Sequence, residues 1–149
     1  MAETGTTTES WSPARIFLLV GAIVHIPLGV VGLFYNQSFP IGASATKAAD
    51  SDLVLGIWET NGWHSLAALL LGIVMTYFTV YPRLARDIAL VIGLFHVGLV
   101  ASLALWDPSN FWLASNDADQ VVHSLTAIGG IGSALLTRPL RTRAAISTP

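Results

Sequence analysis

The sequence contains no cysteine, which excludes disulfides, thiolate metal sites, cysteine nucleophiles and cysteine-linked lipid anchors. Charge is scarce as well: Asp, Glu, Lys and Arg make up 11% of the 149 residues, against 53% hydrophobic. No Lys or Arg precedes Arg15, so the N-terminus lacks the positive region of a signal peptide. The net charge of −2 argues against nucleic acid as a partner. With a mean hydropathy of +0.64, the chain reads as a membrane protein rather than a water-soluble domain.

Four apolar stretches occupy residues 15–35, 62–81, 85–106 and 119–137. Each is close to the ~20 residues that a helix needs to cross a bilayer. The expected architecture is an all-α, integral membrane four-helix bundle. An N-tail (1–14) precedes the bundle (15–137), which includes a long outer loop (36–61), and a basic C-tail (138–149) follows. Arg15, Arg83, Arg86, Arg138, Arg141 and Arg143 fall on one side of this arrangement, and only Lys47 falls on the other. An excess of basic residues marks the cytoplasmic side, so both termini are expected there. Trp58, Trp63, Trp106 and Trp112 would then belt the outer interface. Ala43-Ser44-Ala45 imitates a cleavage site, but it lies well beyond the first apolar core, and that span is expected to be retained.

Local signals mark the ends of these stretches. Ser12-Pro13 combines a helix cap with a proline at the first helical position, where its missing N–H costs nothing. Pro27 lies inside the first span and is expected to kink it. Residues 82–85 read as a tight turn that makes the second and third spans antiparallel neighbours. Asn116 or Asp117 caps the fourth span. Within the long loop, the apolar run Asp52 to Trp58 is expected to lie along the outer interface or to cap the bundle.

Every span carries one histidine, and no histidine lies elsewhere. Each shares a helical face with small residues: Gly21, His25, Gly29 and Gly32; His64, Ala68, Gly72 and Thr76; Ala89, Gly93, His96 and Val100; Asp119, His123, Thr126 or Ala127, Gly130 and Ala134. Small residues let membrane helices approach closely, so the histidines are expected to face the bundle interior. At ~1.5 Å per residue, His25 and His96 should lie ~15 Å below the outer ends of their spans, and His64 and His123 ~5 Å below theirs. Two pairs at levels ~10 Å apart follow from the same rise. The plain interpretation is a set of hydrogen-bonded interior histidines and no cofactor. The alternative is one b-type haem or a metal ion held by paired imidazoles.

The outer pair has polar company. Asn61 lies three residues before His64, and Asp119 four before His123, each on its histidine's face. Asn61 reads as a cap; Asp119 can cap its helix and also hold His123 in one tautomer. On that reading, Leu at 123 should cost more than Gln, because Asp119 would lose a partner. Nothing in the chain matches a phosphate loop, a zinc-protease helix or a nucleophile elbow. Ser65 and Ser124 each follow a histidine directly, but adjacent helical positions point about 100° apart and cannot form a nucleophile–base pair.

Two segments carry a resemblance. TNGWHSLAALLLG (Thr60 to Gly72) and NDADQVVHSL (Asn116 to Leu125) resemble the second- and fourth-helix signatures of a bacterial family of small four-helix membrane proteins, catalogued as a domain of unknown function. The family pattern falls here on Asn61, His64, Asn116, Asp119 and His123. Members often carry a further His where this chain has Ala68, so a role needing that imidazole does not transfer. The resemblance implies fold and location, not an activity. The function expected is non-enzymatic: an accessory or interaction subunit whose partners are the lipid bilayer and other membrane helices, or a second copy.

Overall fold

The computed structural model describes residues 11–40, 52–105 and 115–138. The Ala43-Ser44-Ala45 segment, Lys47, Trp106, Trp112, Arg141 and Arg143 lie outside the described residues. Four helices, α1 (Pro13–Tyr35), α2 (Gly62–Thr79), α3 (Pro82–Leu105) and α4 (Asp117–Leu136), are joined by a short antiparallel hairpin of β1 (Asp52–Val54) and β2 (Trp58–Thr60).

The caps are those the sequence signals. Ser12 accepts from the Arg15 backbone N–H with Pro13 next to it, and Asn61 accepts from the His64 N–H. Asn116 and Asp119 form a reciprocal capping box at the start of α4. One boundary differs from expectation. Residues 82–85 are the first turn of α3 rather than a separate turn, and the Ala85 N–H bonds back to the Tyr81 carbonyl at 3.1 Å. Pro82 suits that first helical position because no partner is required for its nitrogen. The link from α2 to α3 therefore shrinks to Val80 and Tyr81.

Glycines set which helices meet. A Cβ on Gly29 would lie 2.5 Å from the Leu69 backbone nitrogen, and one on Gly72 2.8 Å from that of Ile26, so α1 and α2 touch backbone to backbone. On the other side, a Cβ on Gly130 would lie 2.7 Å from the Ala89 carbonyl oxygen and 2.8 Å from the Gly93 Cα. The result is two tight pairs, α1–α2 and α3–α4, while α2 and α3 touch little. At the end away from the hairpin, Ala14, Leu18, Ala22, Met75, Ala85, Ala89, Ile92 and Ala134 form the apolar core. There the Ala14 N–H donates to Thr137 Oγ1 at 2.9 Å, and Arg15 Nε donates to the Thr79 carbonyl at 3.0 Å, neutralising the C-terminal end of α2.

Three helices, α1, α2 and α3, are long and apolar enough to cross a membrane, yet only 28%, 28% and 33% of their apolar windows is buried inside the bundle. The remaining apolar surface faces outward, which is compatible with a membrane protein. The fourth helix, α4, opens with Asp117, Asp119 and Gln120 and is not among the three.

The hairpin is the element that an all-helical expectation misses, although the segment does cap the bundle. Leu55 and Gly56 both have positive φ, 54° and 72°, and the Ile57 N–H bonds the Val54 carbonyl at 3.1 Å. Because Val54 pairs with Trp58, the loop is the three residues 55–57, with left-handed backbone at its first two positions. A leucine in a position favouring Asn or Gly hides the signal.

Candidate functional site

The four histidines, one per helix, line a single cavity of about 370 Å³ between the apolar core and the hairpin. Their rings form a continuous series. His25 and His96 stand 6.3 Å apart edge to face, His96 and His123 5.5 Å apart, and His123 and His64 5.8 Å apart with a 31° tilt. The pairs expected by depth are therefore present, but the two levels are not separate: His96 on α3 and His123 on α4 join them. Helix rise from span ends assumed to be level overstates the gap, since tilt and ring reach are not encoded in the count.

Three of the four imidazoles are oriented by backbone carbonyls. His25 Nδ1 lies 2.8 Å from the Gly21 carbonyl oxygen and His96 Nδ1 2.8 Å from that of Ile92, each four residues earlier on its own helix. His64 Nδ1 lies 3.1 Å from the Glu59 carbonyl oxygen, which ties the hairpin to α2. A carbonyl oxygen only accepts, so these Nδ1 atoms donate and fix the tautomer. His123 differs: its Nδ1 is buried with no hydrogen-bond partner among the described residues.

Asp119 lines the cavity and is buried, but its work is structural. Its Oδ2 accepts the Asn116 N–H at 3.0 Å and the Glu59 N–H at 3.2 Å. The expectation that Asp119 holds His123 is therefore corrected. The carboxylate turns to the backbone N–H groups at the helix start, a stronger demand than an imidazole one turn further on. Asn116 also donates from its side chain to the Ile57 carbonyl at 2.8 Å, clipping the hairpin turn to α4. Asn61, apart from capping α2, is fully inside the structure.

Sequence reasoning does not anticipate the hairpin's share of the site. Val54, Trp58 and Thr60 line the cavity, and Thr60 Oγ1 meets Ser65 Oγ at 2.7 Å. The Ser65 hydroxyl is thus engaged by Thr60 rather than by the neighbouring His64. The apolar wall comes from Leu28, Leu71, Ile92, Phe95 and Leu99. Among the described residues no group of three or more His, Asp or Glu is arranged to hold a metal ion.

The residues that build this site, from the caps Asn61 and Asn116 to the cavity histidines, fall within a stretch matched by one family model. It spans residues 15–136 and is described as Domain of unknown function (DUF4383). The chain belongs to DUF4383. No curated protein and no solved structure matches it. In this DUF4383 chain the family match takes in all four helices' histidines and stops where α4 ends, leaving the tails outside it.

Proposed function

We propose that this DUF4383 chain is a non-enzymatic, multi-pass protein of the bacterial plasma membrane whose bundle houses one ligand-binding cavity, and that it serves as an accessory or interaction subunit of a larger membrane assembly. One observation carries the reading: four imidazoles from four helices converge on a single cavity. Polar side chains inside a membrane bundle are costly and are kept where they bind or relay something. Convergence of all four exceeds what helix packing requires, because the glycine contacts already hold each helix pair together. A non-catalytic role is supported by the Thr60–Ser65 hydroxyl pair, which leaves Ser65 no imidazole base. The proposed orientation has α4 as a fourth span and both termini in the cytoplasm, on the strength of the basic residues gathered at that side. Its partners would be the bilayer and the helices of other membrane proteins or of a second copy.

A second reading, one b-type haem or a metal ion, draws on a specific observation. His25, His64 and His96 each turn Nδ1 to a backbone carbonyl, the hydrogen bond that coordinating imidazoles make on their far side. The absence of a three-ligand group among the described residues argues against a lone metal ion.

Purification in mild detergent tests both readings. The expected preparation is colourless and metal-free, and its organic extract contains a lipophilic compound that is lost in His64→Ala. A b-type Soret band that disappears in His64→Ala would replace this reading with the haem one. An extract without any retained compound, with no response to added lipophiles, would leave the histidines as packing residues only.

A further inference from the structure

We propose that the cavity takes a membrane-soluble ligand whose head group donates hydrogen bonds, of the alkyl-hydroquinone class, and that this ligand enters sideways from the bilayer between α2 and α3. The inference rests on the ligand-binding reading above and adds to it the chemistry of the head and the route of entry.

The chemistry follows from the two most buried imidazoles of the wall, His25 and His96. His25 and His96 direct their Nδ1 protons at the Gly21 and Ile92 carbonyls. In the neutral ring the other nitrogen, Nε2, then carries a lone pair and accepts. A head group bearing carbonyl oxygens alone would meet acceptors at His25 and His96; a head group bearing hydroxyls meets complements there.

Size and lining narrow the class. About 370 Å³ lies at the lower end of the range for small-molecule sites, enough for one substituted ring and the start of a chain. Leu28, Leu71, Ile92, Phe95 and Leu99 give that ring apolar walls, and the imidazoles offer flat faces beside it.

Entry is lateral. Val54, Trp58 and Thr60 cover the hairpin end, and the packed core fills the other end. Between α2 and α3 the packing is sparse, and three residues there line the cavity while remaining exposed outside it: Ala67 on α2, with Val91 (60%) and Phe95 (61%) on α3. On a helix pair whose outer surface is apolar, such an opening faces hydrocarbon, so the ligand comes from the lipid phase and leaves its chain there.

The test uses the full chain in lipid nanodiscs under argon, with decyl-hydroquinone, decyl-benzoquinone and the O,O-dimethyl ether of the hydroquinone, each measured as uptake above protein-free nanodiscs. The hydroquinone is expected to saturate with a single ligand per chain, and the ether, which cannot donate, to bind about tenfold or more weaker, the equivalent of about 1.4 kcal/mol. Ala67→Trp, at an exposed position, should close the mouth and abolish uptake without changing the melting temperature. Equal binding of hydroquinone and ether would overturn the donor assignment, and unchanged uptake by Ala67→Trp would overturn the lateral route. If the benzoquinone binds and the hydroquinone does not, the head-group inference fails while the cavity's ligand-binding role survives. If none of the three binds and no compound is retained from the cell membrane, both fail together.

Discussion

The imidazoles of His96 on α3 and His123 on α4 lie 5.5 Å apart, and this contact turns two histidine pairs into one cluster. His96 is among the most buried side chains of the protein, at 2% exposure, with its Nδ1 held by the Ile92 carbonyl, whereas the His123 Nδ1 is buried with no hydrogen-bond partner among the described residues. One ring of the contact is therefore anchored by a hydrogen bond at Nδ1 and the other is not.

That asymmetry reverses an expectation about position 123. Because Asp119 makes no hydrogen bond to His123 among the described residues, His123→Leu should unfold no more readily than His123→Gln. The two are expected to agree within about 0.6 kcal/mol, the average for a hydrogen bond inside a membrane protein. Chemical denaturation in bicelles checks this; a clearly larger loss for Leu would show that the carboxylate depends on the imidazole after all.

Asp119 itself should be sensitive. Asp119→Ala strips acceptors from the Asn116 and Glu59 N–H groups and is expected to cost about 1–3 kcal/mol for each N–H left buried and unpaired. Asp119→Asn retains an oxygen for the same role and should lose much less. The same denaturation curves, read alongside protease resistance of the hairpin, separate the two variants.

Close helix contact gives a paired prediction. Gly130→Ala would push a methyl group into the Ala89 carbonyl and Gly93 Cα, and should destabilise by about 1–3 kcal/mol, as overpacking does. Gly98→Ala has nothing within 4 Å and should be neutral or stabilising, since alanine is the better helix former. Thermal melting of both proteins in one detergent is sufficient.

Orientation is directly measurable because the chain has no cysteine of its own. Single-cysteine variants exposed to an impermeant thiol reagent in intact cells are expected to label at 47 and not at 83. Labelling at 83 alone would invert the proposed topology.

Much of the helical frame is legible in the sequence because its signals are local. Ser12-Pro13, Asn61 and Asn116 announce helix starts through their own side chains, and the glycine and histidine faces follow from helical spacing. The hairpin is illegible because Leu55 occupies a left-handed position that the sequence gives no reason to expect. The role of Asp119 is half legible: its spacing to Asn116 marks the capping box, but its bond to Glu59 depends on a segment 60 residues away. The merging of the histidine levels is set by tilt and azimuth, which no periodicity in one chain reports.

The division into two tight helix pairs bears on how the chain comes together. Each pair interlocks through its own glycines, and only Val80 and Tyr81 connect α2 to α3, which scarcely touch. The order of events during biogenesis should be two helical hairpins inserted one after the other, with the ring closed last where the Ala14 N–H meets the Thr137 hydroxyl. The peptide link at Val80–Tyr81 is then a matter of delivery more than of cohesion. Two co-expressed fragments, divided at that point, are expected to find each other in the bilayer and reconstitute the bundle.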